Sequence, residues 1–60
     1  MKNLYEWRYI FYYQPEENSG DKYYTDITTD RGFKYAQNVA WGRCTFDGCK
    51  HLVYVTRRKV

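Results

Sequence analysis

Three side chains near the C-terminus have the types that metal and thiol chemistry use: Cys44, Cys49 and His51. Thiolate and imidazole are both zinc ligands, and Cys-x4-Cys-x-His places three donors within eight residues. A closed structural zinc site takes four donors, usually from paired motifs spaced two to four apart. This chain has no further Cys or His, so a fourth ligand would have to be a carboxylate such as Asp47. The pattern therefore predicts no metal and no other cofactor, and two small buried thiols instead. A disulfide is disfavoured too. If Asp47-Gly48 formed a two-residue hairpin turn, Phe46 would face Cys49 and Cys44 would face His51, leaving the sulfurs offset.

Catalytic groupings are equally sparse. Cys49 and His51 at i and i+2 share one face of a strand, a spacing that suits a thiolate activated by an imidazole. No third orienting group or oxyanion loop can be assigned in so short a chain. Glu16-Glu17 falls in a polar turn cluster and reads as a solvated loop. The glycines at 20, 32, 42 and 48 are scattered rather than gathered into a phosphate-cradling loop. The expectation is a protein that is not an enzyme.

Binding chemistry is better represented. Thirteen of the 60 residues are aromatic, eight of them Tyr, more than a core of this size can hold. Aromatic faces bordered by Lys and Arg suit protein interfaces, and they also suit base stacking with phosphate neutralisation. The net charge of +3 conceals a division: residues 1–30 carry −3 and residues 31–60 carry +6. Such a dipolar chain can steer toward an acidic partner. The basic run Arg57-Arg58-Lys59 lies at the very end.

These residues must be carried by a small scaffold. Sixty residues make one domain, 1–60, whose single core nets only about 3–5 kcal/mol. Residues 4–14 alternate strictly, with Tyr5, Trp7, Tyr9, Phe11 and Tyr13 on one side, as a half-buried strand does. Residues 15–21 form a turn cluster. Residues 22–29 offer a second strand, paired antiparallel through the short connection. Residues 31–41 read as a helix with Asp30 as N-cap and Gly42 as stop, carrying Phe33, Ala36, Ala40 and either Val39 or Trp41 as its apolar stripe. The same stretch also alternates as a strand would. Residues 44–50 read as a loop or tight turn. Residues 51–58 close the chain as a third strand, with Val53 and Val55 opposed to Leu52, Tyr54 and Thr56.

The predicted fold class is α+β: a small two-layer β-β-α-β domain with one helix on a three-stranded antiparallel-type sheet. A small all-β barrel or meander is the alternative if residues 31–41 are strand. The expected core is Trp7, Tyr9, Phe11, Ile27, Phe33, Ala36, Ala40, Val53 and Val55. That leaves Arg8, Ile10, Tyr12, Tyr24, Leu52, Tyr54 and Arg58 on the open side of the sheet. The candidate partner-binding or nucleic-acid-binding residues are Arg8, Tyr12, Tyr24, Arg43, Lys50, Tyr54, Arg57, Arg58 and Lys59.

The longest unbroken apolar run, Tyr9 to Tyr13, is far shorter than a signal-peptide core or a membrane span. A cytoplasmic location without membrane contact is therefore expected. In size and make-up the chain resembles the small accessory proteins of phages and mobile elements, such as anti-CRISPR proteins and phage antitoxins. That resemblance is carried by no motif, and it implies an inhibitor that occupies the surface of a host protein or nucleoprotein complex. Direct nucleic-acid binding by the same face is the alternative. A homodimer formed through exposed sheet edges is a further possible association.

Overall fold

The computed structural model describes residues 5–60, so the expected strand start at Leu4 lies outside the described residues. The chain runs β1 (Trp7–Gln14), β2 (Tyr23–Thr29), α1 (Phe33–Phe46) and β3 (His51–Lys59). This is the two-layer α+β arrangement: three antiparallel strands in the order β2-β1-β3, with α1 lying on one face. The barrel alternative is excluded, because residues 33–46 are helical and the sheet is open.

The aromatic alternation of β1 makes it the central strand. Tyr9, Phe11 and Tyr13 point under the helix and are buried, with Phe11 wholly so. Ala36, Ala40 and Cys44, spaced by four, form the buried stripe of α1. Small helix residues against large strand residues let the two layers approach closely. Aromatic rings then fill the gap that Leu or Ile would otherwise occupy. Ile27 joins this core from β2, and Trp7, Val39 and Leu52 pack around it.

Three local expectations are corrected. The helix begins after Gly32 rather than Asp30: Gly32 is the N-cap, has φ 95°, and supplies no side-chain cap. Gly42 does not stop the helix, which continues through Phe46, so residues 44–46 are not loop. It ends in a Schellman motif, where Gly48 N–H donates to Thr45 O at 3.0 Å and Cys49 N–H to Cys44 O at 2.9 Å. Gly48 takes the left-handed conformation, φ 73°, that this motif needs. Asp47-Gly48 is therefore a helix cap and not a hairpin turn. Cys44 and Cys49 are the two positions whose side chains the motif brings together, and both are buried and free, packed on Tyr13.

The third correction concerns β3. Its pairing with β1 shifts between Ile10 and Phe11: Phe11 faces Tyr54 while Ile10 faces Thr56, leaving Val55 as the extra residue of a bulge. The phase of the strand changes there. Leu52 and Tyr54 lie on the helix side with Phe11 and Tyr13, whereas Val53 lies across from Tyr12 on the open side. Val53 and Val55 are thus not core residues, and Val55 is 45% exposed. Phe33 is only partly covered, at 39% exposed, yet its ring meets Tyr9, Phe11 and Tyr54.

Candidate partner-binding face

The helix covers one side of the sheet and leaves the other open. Strand register sets the open side out in rows. Thr28, Arg8 and Arg58 form the first, Asp26, Ile10 and Thr56 the second, and Tyr24, Tyr12 and Val53 the third. A fourth joins Gln14 to His51. Gln14 is buried there because its side-chain amide donates to Ser19 O at 2.6 Å, tying the 15–21 turn against the strand end.

The third row is the apolar centre of the face. The Tyr12 and Tyr24 rings lie 5.6 Å apart, and Lys22 Nζ stands 5.0 Å from the Tyr12 ring centroid. Tyr24 is 65% exposed, so its ring offers area to a partner at the small ordering cost of a side chain with two torsions. In the neighbouring rows Arg8 pairs with Asp26 at 3.6 Å, an exposed contact that holds the Arg8 side chain along the face. Arg58 sits beside Arg8 in register.

Antiparallel order also sorts charge lengthwise along a body 40 Å long and 17 × 15 Å across. The start of β1, the end of β2, the start of α1 and the end of β3 share one end. Arg8, Arg31, Lys34, Arg57, Arg58 and Lys59 therefore gather there, against Glu6 and Asp30. The other end carries Glu16, Glu17 and Asp21 with Lys22 and Lys50. Both halves of the sequence contribute to each end, and with Asp47 at the end of α1 counted the basic end carries a net +4 and the opposite end a net −2.

The nine candidate residues do not form one site. Arg8, Tyr12, Tyr24 and Arg58 share the open face. Tyr54 lies on the helix side, where its ring packs edge-on against Phe33 at 5.0 Å and against Phe11 at 5.6 Å. Arg57 and Lys59 are also on that side, 4.2 and 5.0 Å from the Trp7 ring centroid, so both cations are held by one indole. Arg43 leaves α1 to reach the edge strand β2, where Nη1 donates to Thr25 Oγ1 at 2.6 Å and to Asp26 O at 3.0 Å. Lys50 lies in the turn before β3, at the far end, with its N–H donating to Gln14 O. The structure adds Lys22 and Val53 to the face. Lys22 was legible, since it continues the alternation of Asp26 and Tyr24. Val53 was hidden by the bulge.

The cysteine region is organised for packing. Burial pushes the Cys44 thiol up, with the neighbouring Cys49 and Asp47 adding to the effect, and burial followed by the Asp47 charge raises Cys49. The Cys49 thiol donates to Asp47 O at 3.8 Å. A nucleophilic thiolate needs the opposite environment. Among the described residues, Cys44, Cys49 and His51 do not gather into a metal-binding cluster. The Tyr13 hydroxyl donates to the Asp47 carboxylate, and that bond, with burial and the carboxylate charge, raises the Tyr13 pKa to about 12.

Among the described residues, no helix is long and apolar enough to cross a membrane. Comparison with protein-family models, curated proteins and solved structures gives no match to this chain.

Proposed function

We propose that this chain is a small non-enzymatic binding protein that occupies a surface of a larger cellular protein or nucleoprotein, in the manner of an inhibitor. It docks through the open face of its sheet. The observation that carries this reading is the exposed Tyr24 ring beside the half-buried Tyr12 with Lys22 over it, set beside Ile10 and Val53 and flanked by Arg8 and Arg58. Aromatic anchors at a patch centre with Arg at its border is the composition of energetic hot spots. The basic end orients the encounter with an acidic partner.

Tyr12→Ala, Tyr24→Ala and Arg58→Ala each weaken partner binding at least fivefold on this reading, without unfolding the protein. Binding within twofold of the parent for all three contradicts it.

A second reading draws on the same face. Two adjacent tyrosine rings beside Arg8 and Arg58 also fit single-stranded nucleic acid, with bases on the rings and phosphates on the cations. It predicts affinity that falls steeply with salt, and a shallower slope for an Arg57→Ala/Arg58→Ala/Lys59→Ala variant. Binding unchanged between low and physiological ionic strength removes this second reading. Pairing of copies through sheet edges is disfavoured on the same geometry. Arg43 engages the main chain of β2, while a bulge and three basic residues interrupt β3.

A further inference from the structure

The turn that ends α1 sets two thiols against each other. In a Schellman motif the third residue from the helix end and the second residue past its cap often meet through their side chains, and that contact is usually apolar. Here Asp47 is the C-cap, so the two positions are Cys44 and Cys49. The wider bond of the motif joins their backbones, Cys49 N–H donating to Cys44 O at 2.9 Å. Even with every bond laid in a straight line, that link holds the two Cα atoms within about 6.8 Å, and any bend brings them closer. Disulfides span Cα separations of about 4.4–6.8 Å.

Side-chain placement agrees with the backbone. Both cysteines are free and lie buried in one cluster with Tyr13. Burial is the main cause that raises the Cys44 thiol, and the next is the charge of Cys49 as a near neighbour. The hairpin turn that would offset the two sulfurs is absent. Cys49 is also held from its other side, because Lys50 N–H donates to Gln14 O at 3.1 Å. The sequence holds two cysteines, so the pair has no competitor within the chain. Cys49 is 7% exposed and Cys44 wholly covered, so a reagent in solution meets Cys49 first.

We infer that Cys44 and Cys49 form a redox-modification site, closed into an intramolecular disulfide by exchange with a small-molecule disulfide of the glutathione type. The Cys49 thiolate attacks one sulfur of the reagent, the reagent's S–S bond breaks, and one thiolate leaves. The Cys44 thiolate then attacks Cys49 Sγ in the mixed disulfide, and the second thiolate leaves. The protein gives up two electrons and two protons, and the reagent is released as two thiols. The closed ring contains Asp47, the acceptor of the Tyr13 hydroxyl, and ties the end of α1 to the approach to β3. Raised thiols slow the exchange at neutral pH, which suits a lasting cross-link rather than a turnover step. The inference uses no residue of the open face and stands independently of the function proposed for it.

The test equilibrates the full chain in mixtures of reduced and oxidised glutathione, once folded and once in concentrated urea, then quenches with acid and reads the products by mass. The expected product is a monomer lighter by two hydrogens and carrying no glutathione. The effective concentration of the two thiols, read from the disulfide fraction against the glutathione ratio, is expected to be about tenfold higher in the folded chain than in urea. By linkage the oxidised chain is then more stable by the same factor and melts about 6 °C or more above the reduced one. Cys44→Ala continues the alanine stripe of α1 and should yield only the glutathione adduct at Cys49. An effective concentration in the folded chain equal to or below that in urea overturns the inference. So does a folded product held as mixed disulfides or cross-linked dimers, or an oxidised chain that melts at or below the reduced one.

Discussion

Leu52→Ala is expected to destabilise this protein much more than Val53→Ala, although simple alternation in the last strand points the other way. Leu52 lies on the helix side and packs against both buried clusters, the one around Phe11 and the one around Tyr13 and the cysteines. A fully buried Leu→Ala change costs about 2–5 kcal/mol, and Leu52 is half-buried, so about 2 kcal/mol is expected. Val53 lies on the open face across from Tyr12, where losing two methyl groups costs about 0.5–1 kcal/mol. A 60-residue core nets only about 3–5 kcal/mol, so the first change removes near half of the stability. Urea titration followed by far-UV circular dichroism reads the difference. With a slope of about 1 kcal/mol per molar urea, Leu52→Ala lowers the midpoint by about 2 M and Val53→Ala by less than about 1 M. In a thermal scan the Leu52 variant melts about 8–16 °C lower. A Val53→Ala loss equal to or larger than that of Leu52→Ala would refute the bulge-dependent phase of β3.

Two further outcomes test the helix terminus. Tyr13→Phe removes the hydroxyl bond to Asp47 and should cost about 1–2 kcal/mol, because the acceptor is charged but solvent-exposed. The same pair makes stability pH-dependent. The folded-state pKa lies above the ordinary value of 10.0, at about 12, so the unfolded chain loses this proton first. The contribution is complete below pH 10 and is lost as pH rises through 12. A phenolate absorbance titration should show a late step near pH 12 that is missing in Tyr13→Phe; its persistence there assigns the bond wrongly. Gly48→Ala forces a side chain into the left-handed cap position and should cost about 1 kcal/mol by urea titration. A neutral result contradicts the Schellman ending.

What the sequence revealed, and what it hid, follows from how local each signal is. Four aromatics in strict alternation, Trp7 to Tyr13, determine both the strand and its buried side, because every second residue carries the same message. The element order was readable from the turn clusters between the strands, whereas residues 31–41 alternate as a strand would as well, and it was the alanines and the cap-type residues, not the periodicity, that favoured a helix there. The ends of the helix were not readable. Asp30 has the chemistry of an N-cap, but Gly32, two residues later, takes that position; Gly42 looks like a stop but sits in ordinary helical conformation. Glycine type alone does not report φ. The β3 phase was hidden because a bulge is a property of the strand pair rather than of either sequence. Alternation counted through Val55 is correct for Thr56 and Arg58 and reversed for Leu52 and Tyr54. Of the open face, Arg8, Tyr12, Tyr24 and Arg58 were legible. Arg43 was read as a binding residue without its target, since its span from α1 to β2 joins positions 17 and 18 residues apart.

The open face is the proposed docking surface. Its most direct test compares the parent chain with Tyr12→Ser/Tyr24→Ser as bait in nuclease-treated cell lysate at two salt concentrations, after matching their circular dichroism spectra. The expected result is a partner protein that the parent retains at both salts and the double variant loses. Equal capture by the two baits would contradict it.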